Sequence, residues 1–166
     1  MKLILSLVLA ISIVVLGVLI SNYYKRRNKF FCDVSNFCDV LLSEINFLQL
    51  KLLQIVNKHK TSYGVDFKNF LNLFSNYLND GIDKEKFQNK LIKSQLFLSE
   101  VEAIDLFNFF VNLGGLDIQN ETNNINNFKN LFNKYRDLSE INKQKFSPLS
   151  IKLSIVVGLV IVILFA

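Results

Sequence analysis

The stretch LILSLVLAISIVVLGVLI, residues 3–20, contains eighteen residues and no charged side chain. A helix needs ~20 apolar residues to cross the ~30 Å hydrocarbon core of a bilayer, so this stretch has the length of a membrane span. The last fourteen residues, LSIVVGLVIVILFA at 153–166, are also uncharged. Their helix rises only about 21 Å, but it reaches spanning length if it begins near Leu149 and Lys152 extends its amine to the headgroups. The sequence therefore predicts membrane helices at residues 1–22 and 147–166 around a middle domain at residues 23–146.

Basic residues flank both predicted spans on the side of the middle domain. The residues that follow the first span are Lys25, Arg26, Arg27 and Lys29. Those that lead into the second are Lys134, Arg136, Lys143, Lys145 and Lys152. Because Lys and Arg close to a span stay in the cytoplasm, we expect a two-pass protein of the cell membrane with a cytoplasmic middle domain. Both termini would then face the other side.

A cleaved signal peptide is the alternative interpretation of the first span. In a signal peptide the charges precede the apolar stretch, and a cleavage site of small residues follows it. Here the charges follow, and the chain leaves the span through Asn22, Tyr23 and Tyr24. We therefore expect a retained membrane anchor.

The composition is consistent with these spans and excludes other classes of protein. The hydrophobic fraction of 51% and the net charge of +5 arise largely from the spans and their basic flanks. Anionic headgroups explain the basic flanks more simply than nucleic acid does. No RNA-binding or zinc pattern is present, so no nucleic-acid partner is expected. Six glycines and one proline argue against a β-rich fold. We expect an all-α protein whose middle domain is a bundle of about five helices.

The first helix of the middle domain carries apolar residues at alternating spacings of three and four. This seam consists of Phe31, Val34, Cys38, Leu41, Ile45, Leu48, Leu52 and Ile55. A heptad pattern of this length predicts a long helix, and no glycine or proline separates it from the first span. We favour a helix that buries the seam within its own domain. The alternative is an intermolecular coiled coil, which would make a homo-oligomer.

Turn and capping residues divide the rest of the middle domain. Gly64, Gly81 and Gly114 are predicted to end helices or form turns, and Ser99 and Glu102 have the spacing of a capping box. Helices are predicted to begin at Asp66, Asp83, Ser99 and Asp117, and the final one at Ser147 and Pro148. Expected core positions include Phe87, Leu91, Leu96, Val101, Ile118, Ile125, Leu138 and Ile141.

No arrangement of residues predicts catalysis or a cofactor. The sequence has no phosphate-binding loop, nucleophile elbow or His-Glu-x-x-His motif. His59, the only histidine, is expected near a helix end, facing solvent. Cys32 and Cys38 would lie about 9 Å apart along a helix, beyond the ~7 Å reach of a disulfide. We therefore predict reduced cysteines, no metal site and no enzymatic activity.

Residues 113–125 resemble the pattern Leu-Gly-x-x-Asp-x-x-x-Gln-x-x-x-Ile of the stage III sporulation protein AB family. Leu113, Gly114, Asp117 and Ile125 match, and Glu121 stands where the family usually has glutamine. These residues either hold a turn or face a partner. We favour the structural interpretation because Gly114 suits a left-handed helix stop, Asp117 suits a cap and Ile125 suits a core position.

Other positions resemble the family in the same order along the chain. Gly17 lies in the first span and Arg27 follows it, and residues 42–47 resemble the family's Leu-x-x-Glu-Ile-x-Tyr motif. Phe87 falls near a usual tryptophan, and Ser154 replaces a usual glycine before Gly158. The length and the two terminal spans also agree with the family.

The resemblance implies a sporulation membrane protein of the channel complex between the mother cell and the engulfed forespore, on the mother-cell side of the membrane around the forespore. It implies a soluble domain similar to the cytoplasmic helical domains of type II secretion platform proteins. The implied partners are a secretion-type ATPase, the AA-type ATPase of stage III sporulation, and the other channel components. The alternative is a membrane-tethered helical scaffold, related to phage or cell division, with no sporulation role.

Overall fold

The computed structural model describes residues 2–47, 51–81, 83–95, 97–115 and 117–165, and the predicted seam residue Leu48 and core residue Leu96 lie outside these ranges. The described residues form six α-helices and no strand. The helices are α1 (Lys2–Phe47), α2 (Leu52–His59), α3 (Val65–Asp80), α4 (Lys84–Ser94), α5 (Glu100–Val111) and α6 (Ile118–Phe165), with a short 3₁₀ turn at Lys60–Ser62. The all-α prediction is confirmed.

The chain divides into two compact units. One, the two-helix unit, contains Met1–Asn28 and Asp137–Ala166. The other, the bundle, contains Lys29–Arg136. Helices α1 and α6 each contribute residues to both units.

Both helices of the two-helix unit are long and apolar enough to cross a membrane. Their most apolar windows have a mean hydropathy of 2.5, and only 17% and 11% of those windows is buried. The core helix of a soluble protein would instead be mostly buried. Helix α1 also continues unbroken to Phe47, so cleavage after the first span would cut through a helix.

Phenylalanine dominates the core of the bundle. Phe110 of α5 lies at its centre, with its ring centroid 4.6 Å from Phe70 and 4.8 Å from Phe74 of α3. Phe37 of α1 stacks on Phe110 at 5.9 Å, and Phe132 of α6 meets the adjacent Phe109 at 5.3 Å. Edge-to-face and offset contacts of this kind are the favourable geometries for aromatic pairs. Helices α1, α3, α5 and α6 therefore share one core.

The predicted seam lies inside this core, as expected of a helix that packs within its own domain. Phe31, Val34, Cys38 and Leu41 are fully buried in the bundle. They are not available to form an intermolecular coiled coil.

The single long helix predicted through Ile55 is wrong. Helix α1 ends at Phe47, Lys51 is extended at φ −62° and ψ 138°, and α2 begins at Leu52. Glu44 and Lys58 would lie about 21 Å apart along a continuous helix, yet their charged groups meet at 2.7 Å. The chain therefore turns back, and this reversal buries Ile55 and Val56 side by side in the core. Tertiary packing overrides the local heptad pattern here.

The predicted turns at Gly81 and Gly114 and the capping box are confirmed in the bundle. Gly81 has φ +59° directly after α3, and Gly114 has φ +80° after α5. Ser99 and Glu102 form a complete capping box at the start of α5. Glycine is favoured at the two positive-φ positions because a Cβ is strained there.

The predicted start at Asp66 is wrong, because Gly64 occupies the N-cap position of α3 and Asp66 lies within its first turn. Asp83 occupies the N-cap position of α4, but its side chain makes no capping hydrogen bond.

The prediction that a separate helix starts at Ser147 and Pro148 is wrong, because α6 runs through both residues. Proline in a helix interior removes one backbone hydrogen bond. Contacts within the two-helix unit hold the chain helical on this stretch. Ser147 is buried against Ser21, and Phe146 stacks on Tyr24 at 5.4 Å.

Four residues predicted for the core are instead exposed. Leu138 and Ile141 are 54% and 60% exposed. They lie in the two-helix unit, where α6 has one neighbouring helix and cannot bury its outer face. Val101 and Ile118 occupy the first turns of α5 and α6 and are 63% and 49% exposed.

Candidate functional site

The two helices of the two-helix unit meet through small residues. A Cβ added to Gly17 would lie 2.2 Å from the hydroxyl of Ser154 and 2.8 Å from the carbonyl oxygen of Ser150. One turn further along α1, the hydroxyl groups of Ser21 and Ser147 share a buried hydrogen bond of 2.6 Å. Small residues allow close approach, and hydroxyl groups bridge helices, in membrane helix pairs. The absent side chain at Gly17 makes room for Ser154, the residue that replaces a usual family glycine.

Polar contacts continue the pairing beyond the apolar stretches. Lys143 donates to the side-chain oxygen of Asn28 at 3.0 Å and to Glu140 at 2.6 Å. Asn28 also donates to Ser139 at 3.3 Å. The hydrogen bond from Lys143 holds the pKa of the Glu140 carboxyl below its ordinary value. These contacts were not predicted from the sequence, in which Lys143 is only one of the basic flanking residues, and their only signal was polar side chains at helical spacing along α6.

The basic residues that support the topology prediction lie mostly at the surface. Lys25, Arg26 and Lys152 are exposed, and Arg27 is half-buried. Lys29 is also exposed, and its amine pairs with Asp33 at 2.9 Å. The other oxygen of Asp33 accepts the backbone N–H of Gly64 at 2.9 Å, directly before α3. A buried side chain of α1 thus supplies the cap that α3 lacks locally.

The family-like segment forms the turn between α5 and α6. Leu113 and Ile125 are buried, and Asp117 caps α6 by accepting the N–H of Asn120 at 3.1 Å. This bond and the side-chain bond from Asn120 lower the pKa of Asp117. Gly114 donates its backbone N–H to Glu121 at 3.0 Å. Each residue of the motif therefore has a contact inside the turn.

Glu121 is the unusual member of this turn. It is only 3% exposed, and its second carboxylate oxygen is buried without a hydrogen-bond partner among the described residues. A buried charge with an unsatisfied oxygen lowers the stability of the fold. A glutamine, which the family usually has here, would keep the acceptor for Gly114 and remove the charge.

A second buried carboxylate lies where α1 and α2 meet. One oxygen of Glu44 accepts hydrogen bonds from Lys58 at 2.7 Å and His59 at 2.8 Å. These two donors lower the pKa of Glu44. The prediction that His59 faces solvent is wrong, because its side chain is only 24% exposed. It lies in the last turn of α2, as expected. The reversal of the chain brings it back to Glu44.

Metal binding and thiol chemistry depend on the remaining titratable groups. Among the described residues, no group of three or more His, Cys, Asp or Glu residues could hold a metal ion. Cys32 and Cys38 are not in a disulfide, and both lie on α1, where six residues separate them. Burial raises the pKa of Cys38 to about 12, so the thiol stays protonated and is a poor nucleophile.

Two apolar terminal helices joined through small residues, with a helical bundle between them in the chain, fit the class of two-pass membrane proteins that carry a helical domain between their spans. Within that class, the family Stage III sporulation protein AB matches residues 2–166. The chain belongs to this family. No curated protein and no solved structure matches it.

Membership of the family confirms the resemblance found in the sequence. It identifies a sporulation protein, and it argues against the alternative of a phage or cell-division scaffold with no sporulation role. The two apolar helices fit a two-pass membrane protein.

Proposed function

We propose that the protein is a membrane-anchored scaffold of the sporulation channel and docks a cytoplasmic secretion-type ATPase on its bundle. The observation that carries this proposal is the family match over residues 2–166. The two spans would hold the bundle at the membrane of the mother cell around the forespore, where other channel components assemble.

The orientation of the bundle is part of the proposal. Lys25, Arg26 and Arg27 follow the first span, and Lys143 and Lys145 precede the second. Basic residues near spans remain in the cytoplasm, which is also where an ATPase finds its nucleotide. The bundle would thus be presented to a cytoplasmic motor.

Helix α4 supplies a charged surface for such docking. Its buried side contains Phe87 and Leu91. Its exposed residues include Lys84, Lys86 and Lys90. A basic surface favours encounter with an acidic one, and charges at the rim of an interface affect association more than folding. We therefore place the ATPase on α4 and assign no nucleotide hydrolysis to this chain.

The test is a titration of the full-length protein, in nanodiscs of neutral lipid, with the purified stage III AA-type ATPase. The double change Lys84→Glu and Lys90→Glu should weaken binding by tenfold or more while helicity is unchanged. Lys134→Glu, an exposed lysine of α6, is the matched control and should bind normally. If the folded wild-type protein gives no complex at high micromolar concentration, the docking proposal is wrong.

A further inference from the structure

We propose that the outer face of α6 binds the phosphate of an anionic phospholipid between Lys145 and Lys152. The inference concerns lipid recognition and is independent of ATPase docking. It is argued from the helix geometry, the exposure of the face and its charge.

The two lysines lie on one face of one helix. They are seven residues apart within the continuous helix α6, so they point in nearly the same direction, about 10 Å apart along the axis. Both are exposed. A lysine stem extends its amine by several ångströms toward polar surroundings. A phosphate group that lies between the two lysines can therefore be reached by the amine of Lys145 from one side and by the amine of Lys152 from the other.

The surroundings of the pair are those of a lipid rather than of a soluble ligand. Leu149 lies between the lysines and is 42% exposed, and Leu153 and Val156 follow at 54% and 56%. The helix is apolar enough here to cross a membrane. Acyl chains would therefore cover the face on which the lysines lie, and a phosphate there would belong to a lipid headgroup.

The charge of this stretch is not compensated along the helix. No Asp or Glu occurs between residues 141 and 165. Lys152 also lies within the predicted spanning stretch, where a lysine is unfavourable unless an anionic group receives it. Positive-inside topology explains Lys145, but it does not require a lysine at the depth of Lys152. An anionic headgroup explains both.

Lys145 also contacts an aromatic ring. The amine of Lys145 lies 5.2 Å from the ring centroid of Phe146, at a cation–π distance. Phe146 in turn stacks on Tyr24 of α1 at 5.4 Å. Aromatic residues at this level are typical of the membrane interface. The ring pair therefore places Lys145 beside aromatic side chains of the kind found near lipid headgroups.

The experiment measures lipid binding to the full-length protein in neutral detergent by native mass spectrometry. The wild-type protein should bind phosphatidylglycerol more tightly than phosphatidylcholine. The double change Lys145→Gln and Lys152→Gln should reduce this preference about tenfold or more. The double change of the same residues to Arg keeps both charges and should keep the preference.

Lys68→Gln with Lys134→Gln, at exposed positions of α3 and α6 in the bundle, removes the same charge elsewhere and is the matched control. It should leave the lipid preference intact, and circular dichroism should show all variants folded. Inorganic phosphate at the same concentration should not compete with phosphatidylglycerol. The proposal is overturned if the wild-type protein shows no preference, if both glutamine pairs reduce it equally, or if free phosphate competes.

Discussion

Glu44 accepts hydrogen bonds from Lys58 and His59 through one carboxylate oxygen. These three residues join the end of α1 to the end of α2 across the chain reversal. Their side chains join α1 and α2, which the heptad pattern alone predicts to be a single helix. An ionised Glu44 therefore adds to the stability that the burial of Ile55 and Val56 gives the reversal.

We predict a pH-dependent contribution of Glu44 to stability. Its folded pKa lies below the ordinary 4.5, so its stabilising effect is present above about pH 4.5 and is lost as pH falls through the lower folded value. Glu44→Gln should lower the melting temperature at neutral pH, and the difference from the wild type should shrink as the pH is lowered from 4.5. Thermal unfolding followed by circular dichroism measures this. Glu100→Gln, at an exposed position, is the control, and a difference that persists in acid would contradict the prediction.

Glu121 presents the opposite case, a carboxylate whose charge is unfavourable. Glu121→Gln should stabilise the fold by about 1 kcal/mol, because the acceptor for Gly114 remains and the buried unpaired charge is removed. Glu85→Gln removes an exposed charge from the first turn of α4 and controls for the helix dipole, so it should be neutral or slightly destabilising. Chemical denaturation in detergent would compare them. A loss of stability in Glu121→Gln would show that the second oxygen has a partner.

At the scale of elements, the close contact of α1 and α6 determines whether a larger residue can replace each glycine of the spans. Gly17→Ala should loosen the helix pair, since the new methyl would lie 2.8 Å from a backbone oxygen of α6. Gly158→Ala is the matched control, because its methyl would lie 3.4 Å from Ala10, an ordinary contact. We expect a lower melting temperature for the first variant only. Equal melting temperatures would mean that the pair does not pack through Gly17.

The sequence predicts elements well where local chemistry decides them. The capping box at Ser99 and the positive φ of Gly81 depend on neighbouring residues, and both are confirmed. The break after Phe47 and the continuity through Pro148 depend on contacts with distant residues, and both were predicted wrongly. The cap that Asp33 provides for α3 spans thirty-one residues of sequence. No local sequence pattern predicts a contact between residues so far apart in the chain.

At the scale of the whole molecule, the basic flanks lead to a prediction of topology. A reporter fused after Ala166 should be active only outside the cytoplasm, and one inserted near Gly64 only inside it, because Lys and Arg cluster on the bundle side of both spans. Replacing Lys25, Arg26 and Arg27 with Gln should make both reporters partly active on the wrong side. A reporter after Ala166 that is active in the cytoplasm would show that the second apolar helix does not cross.

The shared core of the bundle has a consequence for biosynthesis. Phe37 from α1 and Phe132 from α6 both belong to that core, although nearly the whole bundle sequence separates them. During translation, α1 is synthesised before α6, so the core cannot form until the core residues of α6 have been made. The nascent chain therefore carries an open apolar surface until the residues around Phe132 have been made, and a chaperone can bind this surface in the meantime.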